Sequence, residues 1–265
     1  MSVDVLSDPR IRSVRWRDLT RLSRLEVAKE LLLSMPWLAL SLWLASRGQF
    51  VLASAASFVF YLAGLRQVHN AFHFALGLPR WASDWVMLAL SVLMLGSMHA
   101  VRFNHMRHHA HCLGDDDVEA MGAKMGPLRA LLTGPLFPVR MHLKALELAG
   151  PGPRRWIVAE LAANLGWLAL VFGLWKVPAL EYHVAAMALG QCFSSFFCVW
   201  TVHHGCDPSG TLARTLRDRW KSFATFCMFY HEEHHLFPSV PTCHLGTLAG
   251  RIEEAMPGMA HKSVF

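Results

Sequence analysis

Residues 50–73 read FVLASAASFVFYLAGLRQVHNAFH, and this stretch decides the fold. From Phe50 to Val68 it is almost wholly apolar. A helix needs about 20 such residues to cross a bilayer core of about 30 Å at 1.5 Å per residue. The run ends in His69-Asn70-Ala71-Phe72-His73. Residues four apart project from one helix face, so the end of the span presents two imidazoles side by side. Taken alone, an HxxxH pair is more often a pair of satisfied or surface histidines than a ligand set. Its meaning depends on what the rest of the chain brings to it.

Three further segments are long and apolar enough to span: roughly Leu31–Ala45 with its flanks, Ile157–Leu174 and Val184–Val202. Ser46–Gln49 joins the first two spans and Trp175–Pro178 helps join the last two, so each pair reads as a helical hairpin. Hydrophobic residues make up 54% of the 265 and charged residues 17%, with a mean hydropathy of +0.31. Ordinary soluble domains carry about 25% charge. The balance excludes disorder and argues against a soluble enzyme. Ten Trp against three Tyr fits a bilayer interface. Basic residues set the orientation. Arg10, Arg12, Arg15, Arg17, Arg21, Arg24 and Lys29 precede the first span, Arg154 and Arg155 the third, and Arg214, Arg217, Arg219 and Lys221 follow the fourth. The short loops hold only Arg47 and Lys176. The termini and the central region are therefore expected on the cytoplasmic side. Most of these charges read as solvated helix flanks, with anionic headgroups as a secondary partner. No nucleic-acid motif is present. The first 24 residues lack an apolar core segment and do not read as a signal peptide. The six cysteines show no CxxC spacing and read as free thiols. One domain is expected over residues 1–265, with a basic segment at 1–28, a Gly-Pro linker at 150–153 and a tail at 242–265.

Histidine is the anomaly, with 16 in all. Beyond His69 and His73 come His105-Met106-Arg107-His108-His109, then His203-His204 after the fourth span, then His231-Glu232-Glu233-His234-His235. In HxxHH the last two imidazoles diverge by about 100°, so one box can serve two adjacent centres. Nine nitrogen ligands exceed the four to six positions of one ion and suit two. Imidazole suits iron, zinc and copper. A shared site requires all boxes on one face of the bilayer. The apolar stretch Trp85–Met98 must then lie along the interface or dip in and out, which Asp84 and Gly96–Ser97 at its ends would permit. His99, His111, His142, His183, His244 and His261 read as ordinary residues.

The boxes HNAFH, HMRHH and HEEHH resemble those of the membrane fatty-acid desaturase superfamily, which includes acyl-lipid desaturases, related hydroxylases and carotenoid ketolases. The likeness extends to the flanks HHAHCLGDDDVE and FYHEEHHLFPSVP, and to VHHGC, which resembles the isolated extra-histidine segment and favours His203 over His204 as ligand. It covers roughly Gln67–Pro241. The resemblance implies an all-α integral membrane protein with four transmembrane helices under a cytoplasmic dimetal cap, in a bacterial inner membrane or its equivalent. It implies two non-haem iron ions, dioxygen as oxidant, a lipid acyl chain entering from the bilayer, and a separate ferredoxin- or cytochrome-like electron donor. Only about thirty residues follow the third box, so no fused haem-binding donor is expected. The first box has three intervening residues rather than four, which is more usual of acyl-lipid enzymes and ketolases than of acyl-CoA desaturases. The short chain and the Asp115–Asp117 run keep ketolation open beside desaturation and hydroxylation.

Candidate lining for the substrate groove is Phe72, Phe103, Phe193, Phe196, Phe197 and Trp200, though each could simply pack helices. Glu232, Glu233 and Asp115–Asp117 are candidates to orient the imidazoles, the Asp run being more at home in a solvated loop. Two other classes compete. His231-Glu232-x-x-His235 also satisfies HExxH, with Glu253 or Glu254 as third ligand of a zinc protease, but Pro238 and Pro241 would break the helix just beyond. A histidine-rich metal transporter should carry polar residues inside its spans, and these have few.

Overall fold

The computed structural model describes residues 8–207 and 211–264; residues 1–7 of the basic N-terminal segment lie outside it. Among the described residues the architecture is helical, with no strand and only isolated bridges from Thr215 to Tyr230 and Ser263. In chain order the helices are α1 (Pro9–Ser13), α2 (Arg24–Leu32), α3 (Met35–Ser46), α4 (Phe50–Phe72), α5 (Arg80–Met94), α6 (Met98–His111), α7 (Pro127–Leu132), α8 (Leu136–Leu148), α9 (Pro151–Ala169), α10 (Pro178–Ser194), α11 (Thr201–His203), α12 (Arg219–Ala224), α13 (His231–Leu236) and α14 (Leu245–Ala255). All six cysteines are free.

Among the described residues, four stretches are long and apolar enough to cross a membrane: Arg24–Ser46, Phe50–Phe72, Pro151–Trp175 and Pro178–His203, of 23 to 26 residues. At 1.5 Å per residue that is about 35–39 Å, enough for a bilayer core. Leu40, Trp43, Val51, Leu52, Phe58, Val158, Leu165, Phe172 and Leu189 stand exposed along them, as a lipid-facing surface requires. The chain is an integral membrane protein. The second span begins at Phe50 as expected, while the other three begin earlier than their apolar runs suggest. Ser23 and Glu26 form a capping box that starts α2 ahead of the apolar run. Pro151 and Pro178 occupy first-turn positions, where a missing N–H costs nothing. Gly150–Pro153 therefore initiates α9 and is not a linker.

Polar groups tie the apolar helices together. Ser41 of α3 hydrogen-bonds Ser57 of α4 at 2.7 Å, and Tyr61 of α4 bonds Ser194 of α10. Gly134, before α8, is the point of closest backbone approach. A Cβ there would lie 1.9 Å from the Cys192 carbonyl oxygen. Gly134→Ala must push α8 off α10, and overpacking of this kind costs about 1–3 kcal/mol. The thermal midpoint of the purified variant in detergent should fall accordingly.

The apolar stretch after the first histidine pair is the decisive element. The chain bends by 112° between α5 and α6, around Leu95–Gly96–Ser97. Leu95 has φ 55° and Gly96 φ 148°, a turn for which glycine is suited. Glu160 of α9 holds this corner. Its carboxylate accepts from Ser97 Oγ at 2.6 Å, from the His99 amide at 2.9 Å and from His99 Nδ1 at 2.7 Å, so it caps the first turn of α6 from outside. His142 of α8 accepts the Ser97 N–H at 2.7 Å, and the His99 ring stacks on Trp156. Two helices, α8 and α9, thus aim α6, which carries the second box, back toward the end of α4.

Candidate metal centre

The aim of α6 brings His105 Nε2 to 3.0 Å from His73 Nε2. The chain from 74 to 104 therefore starts and ends at one place, as a shared site demands. Two sets of four imidazoles result, each with its ligand nitrogens within 4.8 Å of one another: His69, His73, His105 and His234; and His108, His203, His231 and His235. His109 joins the first set, its Nε2 lying 3.2 Å from His105 and 2.9 Å from His234. His105, His108, His203, His231, His234 and His235 are buried, and His69, His73 and His109 half-buried.

Helix geometry sorts the residues. In α6, His105 and His109 are one turn apart and serve the first set, while His108 is rotated into the second. In α13, His231 and His235 serve the second set and His234 the first. His203 arrives at the end of the fourth span, with its Nδ1 donating to the Leu212 carbonyl at 2.8 Å. His204 is not brought in: its ring stacks on Trp200 at 4.1 Å and its Nδ1 donates to the Trp200 carbonyl.

Hydrogen bonding tests whether these residues suit a cation. His105 Nδ1 faces the Glu119 carboxylate at 2.8 Å and His108 Nδ1 faces Asp117 at 2.7 Å. With His203 bonded to Leu212, three rings turn Nδ1 to an acceptor, and in their neutral form this puts the proton on Nδ1 and a lone pair on Nε2. Yet His108 Nε2 lies 3.1 Å from His203 Nε2, and His105 Nε2 lies 3.0 Å from His73 Nε2. Among the described residues, the buried Nε2 of His69 has no hydrogen-bond partner. Lone pairs converging at such distances repel unless a cation lies between them. The donor set fits two metal ions with all-imidazole ligation.

Asp117 and Glu119 are the carboxylates that orient the His108 and His105 rings. Asp117 is buried, while Asp115 and Asp116 are solvated as a loop should be. Glu119 was not singled out by the sequence. Its burial pushes its carboxyl up to about 7. Glu232 and Glu233 do not touch ligand imidazoles. They occupy the positions of α13 that point away from His231 and His235, where Glu232 accepts from His261 Nδ1 at 2.6 Å and Glu233 binds Thr215 and Arg217. Of Glu253 and Glu254, the two candidates for the third ligand of a zinc protease, Glu253 pairs with Arg217.

Burial holds His73, His231, His234 and His235 well below the ordinary imidazole range. Unfolded, the same groups protonate near pH 6.5. Below that pH the unfolded chain binds more protons than the folded one, so stability present at neutral pH is lost as pH falls through about 6.5 toward the folded values. Thermal scans of metal-stripped protein should show a midpoint that declines as pH falls below about 6.5.

An apolar cavity opens beside the histidines. Leu65, Val68, Phe72, Met98, Val101, Phe137, Met141, Phe197, Val202, Met228 and Phe229 line it, with His69, His105, His231 and Glu119 in the wall. Of the expected aromatics, Phe72 and Phe197 are there. Phe193 faces an outer groove between α4 and α10 instead. Phe196 stacks on Trp200, whose indole N–H donates to the Met125 carbonyl, and Phe103 packs with Ala145 and Ile157. The helix is π-wound over Ser195–Trp200, which shifts the side-chain register that a regular helix would give.

A sequence profile described as "Fatty acid desaturase" matches residues 42–263. The sphingolipid delta(4)-desaturase/C4-monooxygenase of Rattus norvegicus is 28% identical over 161 residues, covering 58% of this chain and 50% of the relative. Its Homo sapiens counterpart is 28% identical over 181 residues, covering 65% and 55%. The beta-carotene ketolase of a Paracoccus species is 29% identical over 224 residues, covering 77% and 84%. The chain spans about half the length of the sphingolipid relatives that it matches.

Proposed function

Because the chain belongs to the fatty acid desaturase family, we propose that it is a membrane-bound oxidoreductase that uses dioxygen to insert a C=C bond into the acyl chain of a membrane lipid. His69, His73, His105, His109 and His234 would hold one iron ion, and His108, His203, His231 and His235 the other. When bound, the iron pair supplies dioxygen-driven oxidation of an unactivated C–H bond. The chain's own residues do the rest. Asp117 and Glu119 fix the rotation and tautomer of His108 and His105, so that their lone pairs converge. The apolar wall from Leu65 to Phe72, with Met98 and Val101, excludes water and holds a long chain against the centre. The observation that carries this reading is the meeting of opposed imidazole lone pairs with an apolar cavity at the end of a span.

A second reading has its own support. The beta-carotene ketolase is matched over 84% of its length, against about half for the sphingolipid relatives. Ketolation or hydroxylation of a lipid on the same scaffold is the alternative. The basic flanks favour a histidine cap on the cytoplasmic side, forming one unit with the tail at 242–265, and would suit a separate ferredoxin- or cytochrome-like electron donor of acidic surface.

Expression in a host of defined lipid content, followed by mass spectrometry of fatty acids and carotenoids, tests the proposal. Loss of two hydrogens from an acyl chain supports desaturation, and gain of oxygen on a lipid or carotenoid replaces it with the second reading. One zinc per chain in the purified protein, in place of two irons, would remove both.

A further inference from the structure

α12 carries two large aromatic side chains that stand largely exposed among the described residues. Trp220 is 78% exposed and Phe223 76%. They lie three residues apart on one face, while Ser222 beneath them is buried and bonds the Leu216 carbonyl. Arg219 and Lys221 are exposed beside them. The chain then turns through Phe226 and Cys227, two successive non-glycine residues at φ 55° and 59°. Cys227 N–H closes the turn on the Ser222 carbonyl at 2.6 Å. Backbone in this region is strained and persists only where neighbours hold it.

The neighbour is a membrane span. Arg66 of α4 donates to the Phe226 carbonyl at 2.9 Å, and the same guanidinium pairs with the buried Glu30 of α2. At 1.5 Å per residue, Arg66 sits about 24 Å along α4 from Phe50. The hydrocarbon core is about 30 Å thick. The turn is thus fastened at the rim of the apolar slab, not out in the water. On its other side, Met228 and Phe229 line the cavity beside the histidines.

We propose that α12 is seated in the headgroup layer of an anionic phospholipid bilayer, with Trp220 and Phe223 inserted at the acyl boundary and Arg219 and Lys221 on the phosphates. Aromatic side chains favour that layer, and cations beside them favour anionic lipid. The buried Arg66 ties this seat to α4 and, through Glu30, to α2, both parts of candidate membrane spans. It makes α12 the lipid-side rim of the cavity, the point at which a membrane substrate meets the protein. The inference rests on membrane embedding alone, not on the identity of the reaction.

The test uses the whole protein in bilayer discs of mixed phosphatidylcholine and phosphatidylglycerol. The emission of Trp220 is the difference between wild type and Trp220→Phe. Phospholipid brominated near the top of the acyl chain should quench that difference signal several-fold more than aqueous iodide does. Reversal of both charges, in Arg219→Glu with Lys221→Glu, should shift the balance toward iodide. Moving the indole, with Phe223→Trp in the Trp220→Phe background, should give the wild-type pattern from the same face and guards against a single misfolded variant. Quenching by iodide without quenching by brominated lipid would overturn the proposal, and would leave the face open to a protein such as an acidic electron donor. Bromine quenching unmoved by charge reversal would overturn the anionic headgroup assignment. Neither readout involves catalysis, so product analysis can fail or succeed independently.

Discussion

Replacing His108 by alanine should lower the iron recovered with the purified protein from two ions per chain to one or fewer, and remove product formation altogether. His108 is buried among His203, His231 and His235, with its Nε2 3.1 Å from His203 and 3.3 Å from His235. Alanine leaves three imidazoles where four converge. It also strands Asp117, whose carboxylate bonds the ring in wild type. Removing a partner outside the ligand set already costs about 10–100-fold in metal affinity or activity. Loss of a ligand should exceed that, so product is expected below detection. The measurements are metal content by elemental analysis after anaerobic reconstitution, and product mass in the defined host. Retention of two irons and measurable product would mean that the second box is not a ligand set.

The second large effect concerns groups that touch no metal. Asp117→Ala removes the acceptor of His108 Nδ1 together with the bonds that Asp117 accepts from the Leu113 and Ala120 amides. Glu119→Ala removes the acceptor of His105 Nδ1. Each freed ring can rotate or move its proton to Nε2, where the lone pair is needed. Each substitution should weaken metal binding about 10–100-fold. Glu119→Gln keeps an acceptor oxygen in place and should lose less than Glu119→Ala. Competition against a chelator gives the affinities. Equal affinity in wild type, Asp117→Ala and Glu119→Ala would show that the rings are held by packing alone.

Much of this could be read from the chain because local periodicity writes it there. The i, i+3 and i, i+4 spacing of His105, His108 and His109 states that one helix faces two centres, and the apolar run from Phe50 to Val68 states where the first histidine pair is delivered. The common side of the boxes followed from the need to meet. What the chain did not disclose depends on approach in space. Glu160 caps α6 across 63 positions of sequence from Ser97, and no local pattern marks a glutamate in an apolar span as a cap. Glu119 and Asp117 differ from Asp115 and Asp116 only in the way the loop folds over His105 and His108. The acidic pair inside HEEHH is the nearest carboxylate in sequence and points away from the imidazoles, because adjacent positions on a helix diverge. The π-wound turn at Ser195–Trp200 likewise rotates Phe196 and Trp200 out of the cavity, and no motif signals it.

Both ligand sets draw on the same two short helices: α6 gives His105 and His109 to one set and His108 to the other, while α13 divides His234 from His231 and His235. Neither centre can be adjusted by itself. A tilt of either helix that improves one coordination sphere strains the other, so variants selected for altered chemistry at one ion should accumulate changes in the surrounding scaffold and leave these helices alone. By the same coupling, capture of a first ion fixes most of the geometry required by a second. Titration with metal should then pass from empty to doubly loaded chains with little of the half-filled form in between.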